Sequence, residues 1–145
     1  MEFRFGHLVD YATQDARGKL ILVGLFEIVH VPDGNPVGIP MGSLVASFRA
    51  AAWEGATQTI ELRVTDADGA DVHPRQQVTG EFLAEMNGVW LRANVVVQLT
   101  GLSFPALGDY AFRFYQGETQ IGEVPIQFVG LPAAPTTGVP PAGTG

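Results

Sequence analysis

An all-β fold, specifically an antiparallel sandwich of seven to eight strands in one domain, is what this sequence predicts, on three observations. Apolar and polar residues alternate with period two in several segments, and no stretch sustains the 3.6-residue period of a helix. Clusters of Gly, Pro, Asp and Asn separate those segments at short intervals, with no helical crossover between them. The chain has 145 residues, 46% of them hydrophobic, which suits a single core. Loops of very unequal length and a proline in the last strand favour an open sandwich over a closed barrel.

The first strand is expected over Phe3 to Tyr11, with Phe3, Phe5, Val9 and Tyr11 on one face, followed by a polar connection from Ala12 to Gly18. Lys19 to Val29 (KLILVGLFEIV) is apolar on both faces and is therefore placed centrally in a sheet. Gly24 in its middle marks a bulge or a close backbone approach. Val31 to Gly42 reads as a Pro/Gly loop without regular structure. Ser43 to Ala52 resumes as a strand with Leu44, Ala46, Phe48 and Ala50 together, and Trp53 to Ala56 turns the chain.

Thr59 to Thr65 shows the clearest alternation, Ile60, Leu62 and Val64 against Thr59, Glu61, Arg63 and Thr65. It stops at the turn signal Asp66-Ala67-Asp68-Gly69. Val78 to Glu85 is either a strand or, near Phe82 to Met86, a short helix; Asn87-Gly88 is a hairpin turn. Val89 to Thr100 alternates as a strand. Asp109 to Gln116 and Gln120 to Val129 form a hairpin about Gly117, with Tyr110, Phe112 and Phe114 on one face. Pro125 has no N–H to donate, which assigns that last strand to a sheet edge. From Leu131 to Gly145 the chain is Pro, Gly, Ala and Thr without period, so residues 1–130 form the domain and 131–145 a tail.

Composition excludes several functions. The net charge is −7, from 15 acidic and 8 basic residues, the only lysine is Lys19, and the arginines are scattered. Phosphate backbones and anionic membrane surfaces need clustered basic residues, so neither nucleic acid nor membrane is an expected partner. No cysteine is present, which removes disulfides, thiol catalysis and thiolate metal sites. Glu2, Arg4, His7 and Asp10 interrupt any apolar export signal, and the expected location is the cytoplasm. The 16% of charged residues leaves much of the surface to Thr, Gln, Ala, Gly and Pro, a surface suited to contacts with protein.

Two runs carry a resemblance. Leu102 to Phe112 has the form L-x-F-P-x-x-G-x-Y-x-F and is similar to the run in immunoglobulin-like and related Greek-key sandwiches where a Tyr fixes a corner. Asp10-Tyr11-Ala12 followed by Gly18-Lys19-Leu20 and Gly24-Leu25-Phe26 resembles an uncharacterised bacterial family of small β proteins. The likeness implies the fold. It implies no activity and transfers no site residue.

No constellation for catalysis stands out. Asp66, Asp68 and Asp71, with His73 beyond, are oxygen ligands crowded on one loop, but Gln77 stands where a calcium loop needs its Glu. A hairpin turn whose Asp side chains bond their own backbone accounts for them better. His7, His30 and His73 share no ligand spacing, and no G-x-S-x-G surrounds Ser43, Ser47 or Ser103. Glu81 and Glu85 read as a solvated face, and Gly18-Lys19 lacks the rest of a phosphate loop. Trp90 shares its parity with Arg92, Asn94 and Gln98; burial in a second sheet or an interface accounts for it better than sugar stacking does.

The expected function is therefore a non-enzymatic interaction or assembly module without cofactor. Its partner is a protein, itself or another, and the tail docks on a neighbour. Trp90, Pro125, Leu131, Pro132 and Pro135 are the contact candidates. The alternative is a sandwich that binds carbohydrate or calcium through Trp90 or the Asp66–Asp71 turn, and a hydrolase with a dispersed site stands third.

Overall fold

A computed structural model describes residues 1–85 and 88–132 of the chain. Its strands are β1 (Glu2–Gln14), β2 (Leu20–Phe26), β3 (Ile28–Pro32), β4 (Gly38–Ile39), β5 (Ser43–Ala51), β6 (Thr57–Asp66), β7 (Gln76–Glu81), β8 (Leu83–Ala84), β9 (Trp90–Gln98), β10 (Leu102–Ser103), β11 (Gly108–Gln116) and β12 (Thr119–Leu131). One 3₁₀ turn, Ala52–Glu54, follows β5. Sheet A runs β2-β1-β5-β9-β8, sheet B runs β3-β12-β11-β6-β7, and β4 pairs with β10 apart from both. The protein is an all-β sandwich, with more and shorter strands than the seven or eight the turn signals suggest.

Three local differences, at Lys19 to Val29, at Val31 to Gly42 and at β12, together with the division of the Val78 to Glu85 strand in two, alter the count or what lies where. Lys19 to Val29 is not one central strand: β2 forms the outer edge of sheet A, the chain breaks at Glu27, and β3 joins sheet B. The Val31 to Gly42 loop contains β4, whose Ile39 is buried and pairs with Leu102. Val78 to Glu85 is extended, as β7 and β8, rather than helical; Met86 and Asn87, the end of that segment and the start of the expected turn, lie outside the described residues. Finally, β12 is not an edge strand. It lies between β11 and β3, and its pairing with β3 is parallel.

Pro125 is accommodated in that inner strand for a local reason. β3 meets β12 only from Gln127 onward, where Gln127 N–H donates to the Glu27 carbonyl at 2.9 Å. Position 125 faces Ala111 of β11 and, among the described residues, has no strand opposite on its other side, so the absent N–H leaves no ladder bond unmade there.

The first strand also departs from simple alternation. Its register against β5 shifts between Phe3 and Phe5, a bulge that reverses which parity faces inward. Phe3 packs in the core, Phe5 is turned outward, and Gly6 and Leu8 face the interior. Phe3, Phe5, Val9 and Tyr11 therefore do not share a core face, and Tyr11 stands exposed.

Between the sheets, Leu8, Leu44 and Phe48 of sheet A meet Ile60, Phe112 and Ile126 of sheet B. Phe48 sits edge-on to Phe114 at 5.1 Å between ring centres, with Phe3 5.7 Å from both. A second aromatic group, Phe104, Tyr110 and Phe128, closes one end, with Phe104 and Phe128 4.6 Å apart. Here the corner expected from the Leu102–Phe112 run is present: Tyr110 Oη donates to the Ala106 carbonyl at 2.8 Å. Tyr110→Phe removes this bond while keeping the ring, and is expected to lower stability by about 1 kcal/mol, measured as a shift of the urea midpoint at unchanged slope.

Candidate interaction surface

A sandwich exposes its sheet edges, each a row of unpaired N–H and C=O groups, and edges are normally guarded by charge, proline, bulges or brevity. Among the described residues, three of the four edges are guarded. At β7 the sequence QQVTGE is polar, and Thr79 lies 3.3 Å from Thr59 between hydroxyl oxygens. The β3 strand is five residues long and ends at Pro32. Among the described residues β8 is two residues long, and Glu85 beside it is flanked by Arg49 and Arg92 at 3.9 and 3.8 Å.

β2 differs. Its seven residues, LILVGLF, contain no charge and no proline. Register with β1 sets Thr13 opposite Ile21, Tyr11 opposite Val23 and Val9 opposite Leu25. The odd-numbered side chains of β2 thus stand on one face of the hairpin, and Ile21, Val23 and Leu25 are 48%, 53% and 59% exposed, with Tyr11 at 59%. Gly24 interrupts the row with φ +71°, and the Asp10 carboxylate occupies the space a Cβ there would take. The close approach here is of a side chain, rather than of another backbone, to a residue held at positive φ.

The hairpin is held in place by an arch over sheet A. Val45 and Ser47 of β5 point away from the core yet are fully buried. Asn94 of β9, opposite Ser47, donates its Nδ2–H to the Gly18 carbonyl at the hairpin tip at 3.1 Å. The tip therefore reaches across β5 to β9 on the outer face. Where β2 ends, a cleft of about 440 Å³ opens between the sheets, lined by His7, Leu25, Ile28 and Pro125 among others.

The residues singled out from sequence are dispersed. Trp90 is half-buried on the outer face of sheet A rather than in a second sheet, with the Arg49 guanidinium 4.0 Å above its ring. That face of the indole is occupied by a cation and offers no open platform to a sugar. Asp66 Oδ1 accepts from the N–H groups of Asp68 and Ala70, at 2.9 and 3.0 Å, and so closes its own turn. Asp71 pairs with Arg75 Nε at 2.9 Å, while Asp68 projects into solvent. Among the described residues no group of three or more His, Asp or Glu is disposed to hold a metal ion.

Leu131 is the last residue of β12, opposite Pro32, and Pro132 follows it, exposed. Pro135 lies outside the described residues, as does the tail from 133 to 145. No described helix is long and apolar enough to cross a membrane. From sequence, β2 stands out as an apolar run but reads as an inner strand. The available signal was Glu27, a charge that ends the apolar run and separates two strands that go to different sheets.

Comparison with known proteins adds a family and no activity. A model described as a family of unknown function, DUF6941, matches residues 5–129. No curated protein and no solved structure matches the chain.

Proposed function

The chain belongs to the DUF6941 family of unknown function, and we propose that it is a non-enzymatic interaction module whose working surface is the free edge of sheet A at β2. One observation carries this: a seven-residue strand without charge or proline lies at a sheet edge and exposes about half of Ile21, Val23 and Leu25. Left in water, such an edge is a liability to aggregation. Covered by a partner strand, it supplies main-chain hydrogen bonds for affinity and alternate side chains for specificity.

The test places the photoreactive residue benzoylphenylalanine at Val23 and, as a control, at Gln77 on the β7 edge, in producing cells. A discrete adduct at 23 and none at 77 is the expected outcome. No adduct at 23, or equal adducts at both positions, overturns the proposal. A chain ending at Pro132 separates the edge from the tail: an adduct that survives truncation assigns the contact to β2, and one that is lost assigns it to residues 133–145.

A further inference from the structure

We infer that the partner strand seated on β2 is β2 of a second copy of this chain, paired antiparallel about a twofold axis through Val23. This rests on the β2 edge being the working surface. The charges beside β2 point to a copy. Lys19 precedes the strand and Glu27 follows it, each four residues from Val23. Both side chains are exposed, and neither is in an ion pair among the described residues.

In an antiparallel pair centred on Val23, Lys19 of each copy lies opposite Glu27 of the other, so one sequence feature makes two ion pairs by symmetry. The same register sets Ile21 opposite Leu25 and Val23 opposite Val23, on the face already exposed. A slip of one residue moves every side chain to the other face, and a slip of two removes both Lys19–Glu27 pairs.

Net charge argues in the same direction. Two chains of −7 repel, and β2 is an uncharged stretch where they approach without setting carboxylates against each other. Lys19, the only lysine of the chain, stands at its end. The contact is isologous and consumes both edges, so it closes at two copies rather than growing into a fibre, and it joins two five-stranded sheets into one of ten.

The experiment compares solution mass by sedimentation equilibrium at low salt for the full chain, Lys19→Glu, Glu27→Lys and an equimolar mixture of the two variants. The expected unit is twice the 15.5 kDa chain. Each reversal sets like charges opposite each other twice, and should weaken self-association by roughly tenfold. The mixture should recover it, with the mixed dimer dominating in native mass spectra. There the carboxylate introduced at position 19 of one variant faces the ammonium introduced at position 27 of the other.

A dimer indifferent to both reversals, or a mixture that does not recover, overturns the inference. So does a wild-type chain that stays monomeric up to about millimolar concentration, a weak-contact limit. If that monomer still gives a discrete adduct at position 23 with a different protein, the edge proposal stands and only the second copy is wrong. If it gives none, both fall.

Discussion

Phe48→Ala is expected to destabilise the protein by about 3–5 kcal/mol. Phe48 lies on β5, the middle strand of sheet A, is fully buried, and bridges the sheets through its edge-on contact with Phe114 and its contact with Phe3. Truncation removes a ring from a close-packed interior whose neighbours are held by their own strands and cannot collapse into the space. Domains of this size are stable by about 5–15 kcal/mol, so the variant should retain a much reduced folded margin. Urea unfolding followed by circular dichroism should show a midpoint lowered by roughly 1.5–2.5 M if the slope is near 2 kcal/mol/M. Phe5→Ala is the control. Its side chain is 36% exposed on the outer face, and its loss should be well under half as large.

Gly122→Ala should lower stability by about 1–3 kcal/mol, the reverse of what this substitution does in an unstrained strand, where alanine is favoured by about 0.4–1 kcal/mol. A Cβ at 122 would fall on the Phe3 ring, and one at Gly6 on Val124. These two glycines let β1 of sheet A and β12 of sheet B pass close to each other, with Phe3 lying over Gly122 and reaching Phe48 and Phe114. Any methyl at 122 must displace either that ring or the strand. The check is a double-mutant cycle with Phe3→Ala. Once the ring is gone, Gly122→Ala should become neutral or mildly stabilising, a coupling of about 1–3 kcal/mol. An equal penalty in both backgrounds would show that β12 is strained for another reason.

Several features were legible without coordinates. The alternation of Ile60, Leu62 and Val64, and of Leu44, Ala46, Phe48 and Ala50, identifies inward faces that the structure buries. The likeness of the Leu102–Phe112 run to immunoglobulin-like sandwiches pointed to the Tyr110 corner, which is legible in sequence because a hydroxyl bonding back to Ala106 is a local event within five residues. Asp66 as the closing residue of its own turn is local in the same sense. The acidic balance, the single lysine and the absence of cysteine are properties of the sequence alone.

The open edge at β2 was not legible, since it depends on which strands become neighbours. A run such as LILVGLF is apolar on both faces whether protein, a second copy or solvent lies beside it, so its composition reads as central while its place in sheet A is an edge. Likewise the bulge at Arg4 reverses the parity of β1, and no pattern of residue types announces a one-residue insertion in a ladder. The parallel pairing of Ile28–Pro32 with Gln127–Leu131 joins segments about a hundred residues apart and makes β12 an inner strand despite Pro125. What the sequence determined by itself was what each segment can do locally: extend, turn, cap and present one apolar face. Which strand stands beside which, and hence which edge is left open at Val23, was decided only when the sheets closed on one core, because strand pairing is a contest among distant segments that have the same period.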